Sequence, residues 1–179
     1  MAEPRRVGPG FYVLLLLIAV ATFALHEGAH WLAGVALGHE MTVTLNSSAP
    51  VGAVPRDHDL LIAAAGPVVT LAGGLIAFAL VLTRDSLAAY GVLFFALFMR
   101  LIAAVISLIN PNDEARISLA MGLGPYVLPL IMVGALLVLT VVASRRLRLG
   151  WKTNLMTYLV STVAVTAIVA ADQFIIAPG

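Results

Sequence analysis

An all-α polytopic membrane protein with about five transmembrane helices, and a short β hairpin between the first two, is the architecture this sequence predicts. Three observations predict it. Of the 179 residues, 61% are hydrophobic and 11% charged, with a mean hydropathy of +1.05; soluble domains carry about 25% charged residues. The charges sit between long apolar runs, each about the 20 residues that a helix needs to cross hydrocarbon. One connection, His39 to Asp59, is β-prone rather than helical.

Composition excludes several classes. The net charge of +1 does not mark an acidic partner, and no basic run with interleaved aromatics points to nucleic acid. Absence of cysteine removes disulfides, a thiol nucleophile and thiolate metal ligands. Arg5 and Arg6 ahead of an apolar stretch resemble a secretory leader. That stretch continues through Trp31 to Gly38, however, which favours a spanning helix.

The first segment covers about Gly10–Ala36, with Pro9 suited to its start and Gly38 to its end. Met41–Leu45 and Val51–Val54 read as two short strands around a turn at Asn46–Pro50. Arg56-Asp57-His58-Asp59 belongs at a water interface. The second segment covers about Leu60–Leu82. Its small residues permit close helix approach, and Pro67 should kink or break it. The third covers about Leu87–Ile109, contains Arg100, and ends at Asn110-Pro111-Asn112-Asp113-Glu114. The fourth covers about Ile117–Ala143, with an irregular start at Gly122, Gly124 and Pro125; the fifth covers about Met156–Ile176. A single transmembrane domain over 1–179 is expected, with its core at about 10–120. Positive charge places the N-terminus and the Arg145–Lys152 loop together in the cytoplasm, and the Asp113 and His39–Asp59 connections on the other side.

The chemistry is concentrated in His26-Glu27-Gly28-Ala29-His30. Val7 to Gly38 holds no other acidic or basic side chain. A charge at the centre of a lipid-facing helix costs about 2.5 kcal/mol or more, so these groups need an internal partner. Residues i and i+4 share a helix face, so His26 and His30 can offer two imidazole nitrogens to one ion. Glu27 lies about 100° around the helix, placed to act on water at that ion. Two histidines with a glutamate base are the zinc-hydrolase arrangement.

Such a site needs a third protein ligand. The candidates are His39, His58, Asp113, Glu114 and Asp172. Asp113 is favoured because Asn110-Pro111-Asn112 breaks the helix before it and can turn its carboxylate back toward the first segment. Glu114 is the runner-up and otherwise solvated. Arg100 is expected to pair with a carboxylate or snorkel. Asn110 is a cap or a neighbour of the site, and His39 and His58 are interface residues. Gly34-x-x-x-Gly38 is a weak helix-contact motif, and Trp31 is an interfacial or packing aromatic.

HEGAH in an apolar helix, a β-prone connection, Leu60-Leu61-Ile62-Ala63-Ala64-Ala65-Gly66-Pro67, and a third helix ending in an Asn-Pro-Asp segment together resemble the site-2 protease family of intramembrane zinc metalloproteases. The resemblance covers about residues 15–120. Thr70 is the nearest polar residue where that family has an asparagine after Gly-Pro, and Glu114 stands where it has a glycine. The resemblance implies one Zn2+ on His26, His30 and Asp113, and Glu27 activating water. It implies a substrate that is itself a membrane-spanning helix, cut in or near the bilayer and unwound onto the Met41–Val54 hairpin. It also places zinc toward the cytosolic side, whereas positive charge places Asp113 opposite; both orientations stay open. The expected location is a prokaryotic cell membrane. Two other functions stand beside proteolysis: an inactive relative that binds membrane segments, and a metal-ion transport protein. The intact Glu27 argues against the first, and five spans without an internal repeat against the second.

Overall fold

The computed structural model describes residues 4–176, with side chains described through Phe174. Six α-helices and one two-stranded hairpin follow in the order α1 (Pro9–Ala36), β1 (Met41–Val43), β2 (Ser48–Pro50), α2 (Arg56–Arg84), α3 (Leu87–Ile106), α4 (Asp113–Ala120), α5 (Val127–Arg146) and α6 (Trp151–Ala171). A π-helical turn at Asp172–Ile176 follows α6. All but α4 are long and apolar enough to cross a membrane, which makes this a membrane protein with about five spans.

Local chemistry accounts for the boundaries. Pro9 starts α1, where the missing N–H costs nothing. Gly38 ends it at φ 84°, with the amides of Gly38 and His39 returning to the carbonyls of Val35 and Gly34, 3.0 Å each. A side chain is strained at that φ, so Gly38 is a helix stop. Gly34 is not a helix contact either: a Cβ there would meet the Met41 side chain of β1 at 2.7 Å, measured to Cγ.

The hairpin is tighter than the sequence suggests. Its second strand is Ser48–Pro50, not Val51–Val54, and pairs Met41 with Pro50 and Val43 with Ser48. Thr44 N–H donates to the Ser47 carbonyl at 2.8 Å, so the turn needs fewer residues than Asn46–Pro50 supplies. Pro50 is tolerated because a two-stranded ladder consists of edge strands.

α2 begins with Arg56-Asp57-His58-Asp59 rather than after it, and runs unbroken through Pro67. Acidic residues in a first turn complement the helix dipole. α3 is the central helix: 61% of its most apolar stretch is buried, against 17% for α6. It packs on α1, α2, α5 and α6. Tyr90, Leu93, Val81 and Leu136 fill one side of it, and Leu15, Phe23, Phe95 and Met99 the other. Glycines set two close approaches: a Cβ on Gly74 would lie 3.0 Å from Leu136, and one on Gly91 3.0 Å from Ile18.

α3 ends at Ile106, earlier than expected, where the Ser107 side chain takes over backbone partners on both sides. It donates to Ala103 O at 2.9 Å and accepts from Asn112 N at 3.2 Å. The expected fourth segment divides in two. Gly122 and Gly124, at φ 73° and 80°, separate the short α4 from the spanning α5, because left-handed backbone cannot continue a helix.

One end of the bundle gathers the N-terminal stretch, the α2–α3 turn and the α5–α6 loop. Arg5 N–H donates to Arg148 O at 2.9 Å, its guanidinium reaches Asp85 O at 3.2 Å, and Arg146 pairs with Asp85 at 2.9 Å. The N-terminus and the basic loop thus share an end, as the charge pattern predicts. The hairpin and α4 occupy the other end, where an Arg116–Asp59 ion pair ties α4 to the start of α2.

Candidate metal centre

α1 supplies the first three groups. His26, Glu27 and His30 are all buried, at 4%, 8% and 5% exposed. The helical i, i+4 spacing brings the two Nε2 atoms to 3.2 Å. α4 supplies the third member of the group that faces the two imidazoles. Asp113 is its first residue, behind an Asn112 side chain that accepts from the Asp113 amide at 2.6 Å. Its Oδ2 lies 3.5 Å from His26 Nε2 and 3.3 Å from His30 Nε2.

His26, His30 and Asp113 form a group that could hold a metal ion. Bonds of about 2.0–2.1 Å to a tetrahedral ion require ligand atoms about 3.3–3.4 Å apart; the three edges here are 3.2, 3.3 and 3.5 Å. The donor set and its spacing therefore fit a small four-coordinate divalent cation with one position left open.

Both imidazoles are held in the tautomer that such a cation requires. His30 Nδ1 lies 2.6 Å from the Ile62 carbonyl, which only accepts, so Nδ1 carries the proton and Nε2 the lone pair. His26 Nδ1 lies 3.0 Å from Thr70 Oγ1. Thr70 spends its proton on Gly66 O at 3.0 Å, so it accepts from His26, and His26 Nε2 also carries the lone pair. Outer partners of this kind orient metal-binding histidines and raise their basicity. Both come from α2, which can lie this close because residue 66 is glycine. A Cβ there would fall 2.7 Å from His26 Nε2, and nearer still to His30 Nε2.

Burial alone would raise the Asp113 carboxyl. When no ion is bound, a proton taken up on an imidazole Nε2 is donated to Asp113, and this outweighs burial and holds the carboxyl well below the usual carboxylate range.

Glu114 is neither a metal ligand nor solvated. It is 5% exposed and accepts from Arg100 Nη1 at 2.8 Å. Successive residues on a helix diverge by about 100°; when Asp113 faces the histidines, Glu114 faces α3. Arg100 itself is 3% exposed and paired rather than snorkelling, with Nη2 3.5 Å from His26 Nε2. His39 and His58 bond one another at 2.8 Å and take no part in the metal group. Asp172 is no ligand: its carboxylate accepts from the Leu45 amide at 2.8 Å, tying the end of α6 to the hairpin. Asn110 lines the cavity onto which the metal group opens.

The group opens onto a cavity of about 580 Å³, lined by Glu27 and Arg100 and also by Asn46–Ala49 of the hairpin and Val165 of α6. A second, apolar cavity of about 450 Å³ reaches Glu27 from the other side, between α1, Val43–Leu45 and Ile168. Glu27 thus stands between a polar chamber and an apolar one.

Sequence reasoning missed three features: the Ile62 carbonyl, the Thr70 acceptor and the closeness of Gly66 to both histidines. Thr70 and Gly66 carried a signal, as the polar and the smallest residues of one apolar helix face four positions apart. A backbone carbonyl carries none. No protein-family model, curated protein or solved structure matches the chain.

Proposed function

We propose that the protein is a zinc-dependent intramembrane endopeptidase that hydrolyses a peptide bond in or near a transmembrane segment of another membrane protein. The observation that carries the proposal is the near-equilateral triangle of His26 Nε2, His30 Nε2 and Asp113 Oδ2, in one cavity with Glu27, inside a bundle apolar enough to span a membrane. The resemblance of HEGAH, Ala-Ala-Gly-Pro and Asn-Pro-Asn-Asp to site-2 proteases supports the same reading, and with it goes our proposal of a prokaryotic cell membrane as the location.

Two nitrogens and one oxygen suit zinc. When bound, zinc supplies Lewis-acid polarisation and lowers the pKa of a water toward about 7. The rest falls to this chain. Thr70 and the Ile62 carbonyl hold the imidazoles with Nε2 inward. Glu27 takes the proton of the attacking water and returns it to the leaving amine. A helix hides its carbonyls in intrahelical bonds, so the substrate unwinds locally, and the hairpin whose Asn46–Ala49 line the cavity receives it by strand pairing.

Glu27→Gln in purified protein tests the reading. Zinc content should stay at the wild-type level while cleavage of a transmembrane peptide is lost. Undiminished cleavage would sink the proposal.

A further inference from the structure

We propose that Arg100 is a catalytic residue whose Nη2 group donates to the scissile carbonyl oxygen as negative charge develops on it. This rests on the proteolytic reading and deepens it.

Arg100 lies within α3, a candidate span, and is 3% exposed. A guanidinium carries five N–H donors and stays charged. Glu114 takes Nη1 at 2.8 Å and balances the charge. The rest of the fork faces elsewhere. Nε has no acceptor among the described residues, and the acceptor of Nη2 is His26 Nε2 at 3.5 Å. That is the same lone pair the metal group requires. Once it is engaged, Nη2 loses its acceptor among the described residues. Buried donors left unpaired are costly, and a guanidinium beside a cation is repelled unless an anion lies near both. Arg100 lines the cavity that also holds Glu27 and Asp113, and its Nη2 lies beside the metal group, at His26 Nε2. With Glu114 already on Nη1, what Nη2 then needs is an acceptor of its own, and hydrolysis produces one on the scissile carbonyl oxygen.

The step balances without an added reactant. The water oxygen bonds to the carbonyl carbon, its proton passes to Glu27, and the carbonyl π pair moves onto oxygen, where Arg100 donates. The pair then returns, the C–N bond breaks, and Glu27 delivers the proton to the departing nitrogen. Arg100 keeps its own protons throughout. Glu114 acts through Arg100 and is a positioning residue. Because the donor is aimed before reaction, its effect should be on the charged oxygen rather than on the neutral peptide.

The test uses zinc-loaded full-length protein, wild type and Arg100→Gln, with three readouts: zinc per chain, kcat and KM on a fluorogenic transmembrane peptide, and Kd for a phosphinic analogue of that peptide. The phosphinic group is a tetrahedral anion. Arg100→Gln should keep its zinc and a KM near wild type. It should lose about 100-fold or more in kcat, the usual effect of removing one oxyanion donor, and should bind the phosphinic peptide correspondingly more weakly. Loss of zinc would make the arginine a scaffold for the metal group and overturn the proposal. Equal phosphinic-peptide affinity in variant and wild type overturns it whatever the cleavage result, whereas absence of wild-type cleavage overturns the proteolytic reading. If Arg100→Gln does not fold, the double variant Arg100→Gln/Glu114→Gln leaves no buried charge unpaired and carries the same test.

Discussion

Gly66 of α2 lies so close to His30 of α1 that a methyl group on it would overlap His30 Nε2, the atom turned toward Asp113. The metal group is therefore shaped by what residue 66 lacks as much as by its ligands.

Gly66→Ala should accordingly lower metal affinity about tenfold or more, the range seen when a supporting contact of a metal ligand is disturbed. Gly73→Ala on the same helix is the control: a Cβ there meets nothing within 4 Å, so the change should leave metal content intact and raise stability by about 1 kcal/mol or less. Equilibrium dialysis against zinc reads both. Equal affinity in Gly66→Ala and wild type would show that the two histidines do not need this approach.

Thr70 separates hydrogen bonding from packing. Thr70→Val keeps the shape but removes the acceptor for His26 Nδ1–H, freeing the ring to take the other tautomer. Zinc affinity should drop about 10–100-fold, and Thr70→Ser should restore most of it. A valine variant with wild-type affinity would mean that His26 is oriented by packing alone.

Asp113 and Glu114 are neighbours with different roles, and their amides should behave differently. Asp113→Asn should lose zinc with little change in unfolding temperature. Glu114→Gln leaves a buried guanidinium without its counter-charge and should cost about 3–5 kcal/mol of stability, while zinc still binds to the folded fraction. Thermal unfolding and metal analysis on the same samples distinguish them. Zinc loss in both variants to the same degree would place Glu114 in the metal group after all.

Two acid transitions should be separable. Metal binding needs neutral imidazoles, whose ordinary pKa is about 6.5, so zinc should leave as pH falls below that value. Asp113 is held lower on folding than it is in the unfolded chain. Its contribution is present above the unfolded value of about 3.9 and is lost only as pH falls through the folded one. Zinc release should therefore precede any loss of helical structure on acidification, followed by metal analysis and circular dichroism. Zinc held quantitatively at pH 4 would exclude ligation by two histidines.

The hairpin should matter for substrate and not for metal. Thr42 pairs with Ala49, and Thr42→Pro would break that ladder. Cleavage of a transmembrane peptide should fall several-fold with zinc content unchanged. Loss of metal in this variant would count against a docking role.

Much of this protein is set by local pattern. Apolar length decides the spans, because hydrocarbon leaves a backbone little choice but a helix. The helical period alone brings His26 and His30 to one face, and Gly38 stops α1 because of its own φ. The tertiary structure decides whatever depends on which neighbour a helix meets. Asp113 and Glu114 are adjacent carboxylates in one turn, and nothing local tells them apart. The docking of α4 against α2 and α5, aided by Arg116–Asp59, turns one toward the imidazoles and the other toward Arg100 of α3. The expected fourth segment splits because two left-handed glycines are stronger stops than its hydropathy reveals. Thr70 and Ile62 gain their roles from α1 lying across α2, 44 and 32 residues away in sequence. The ligand types follow from the chain's own chemistry; their selection and aim follow from long-range packing, which periodicity does not encode.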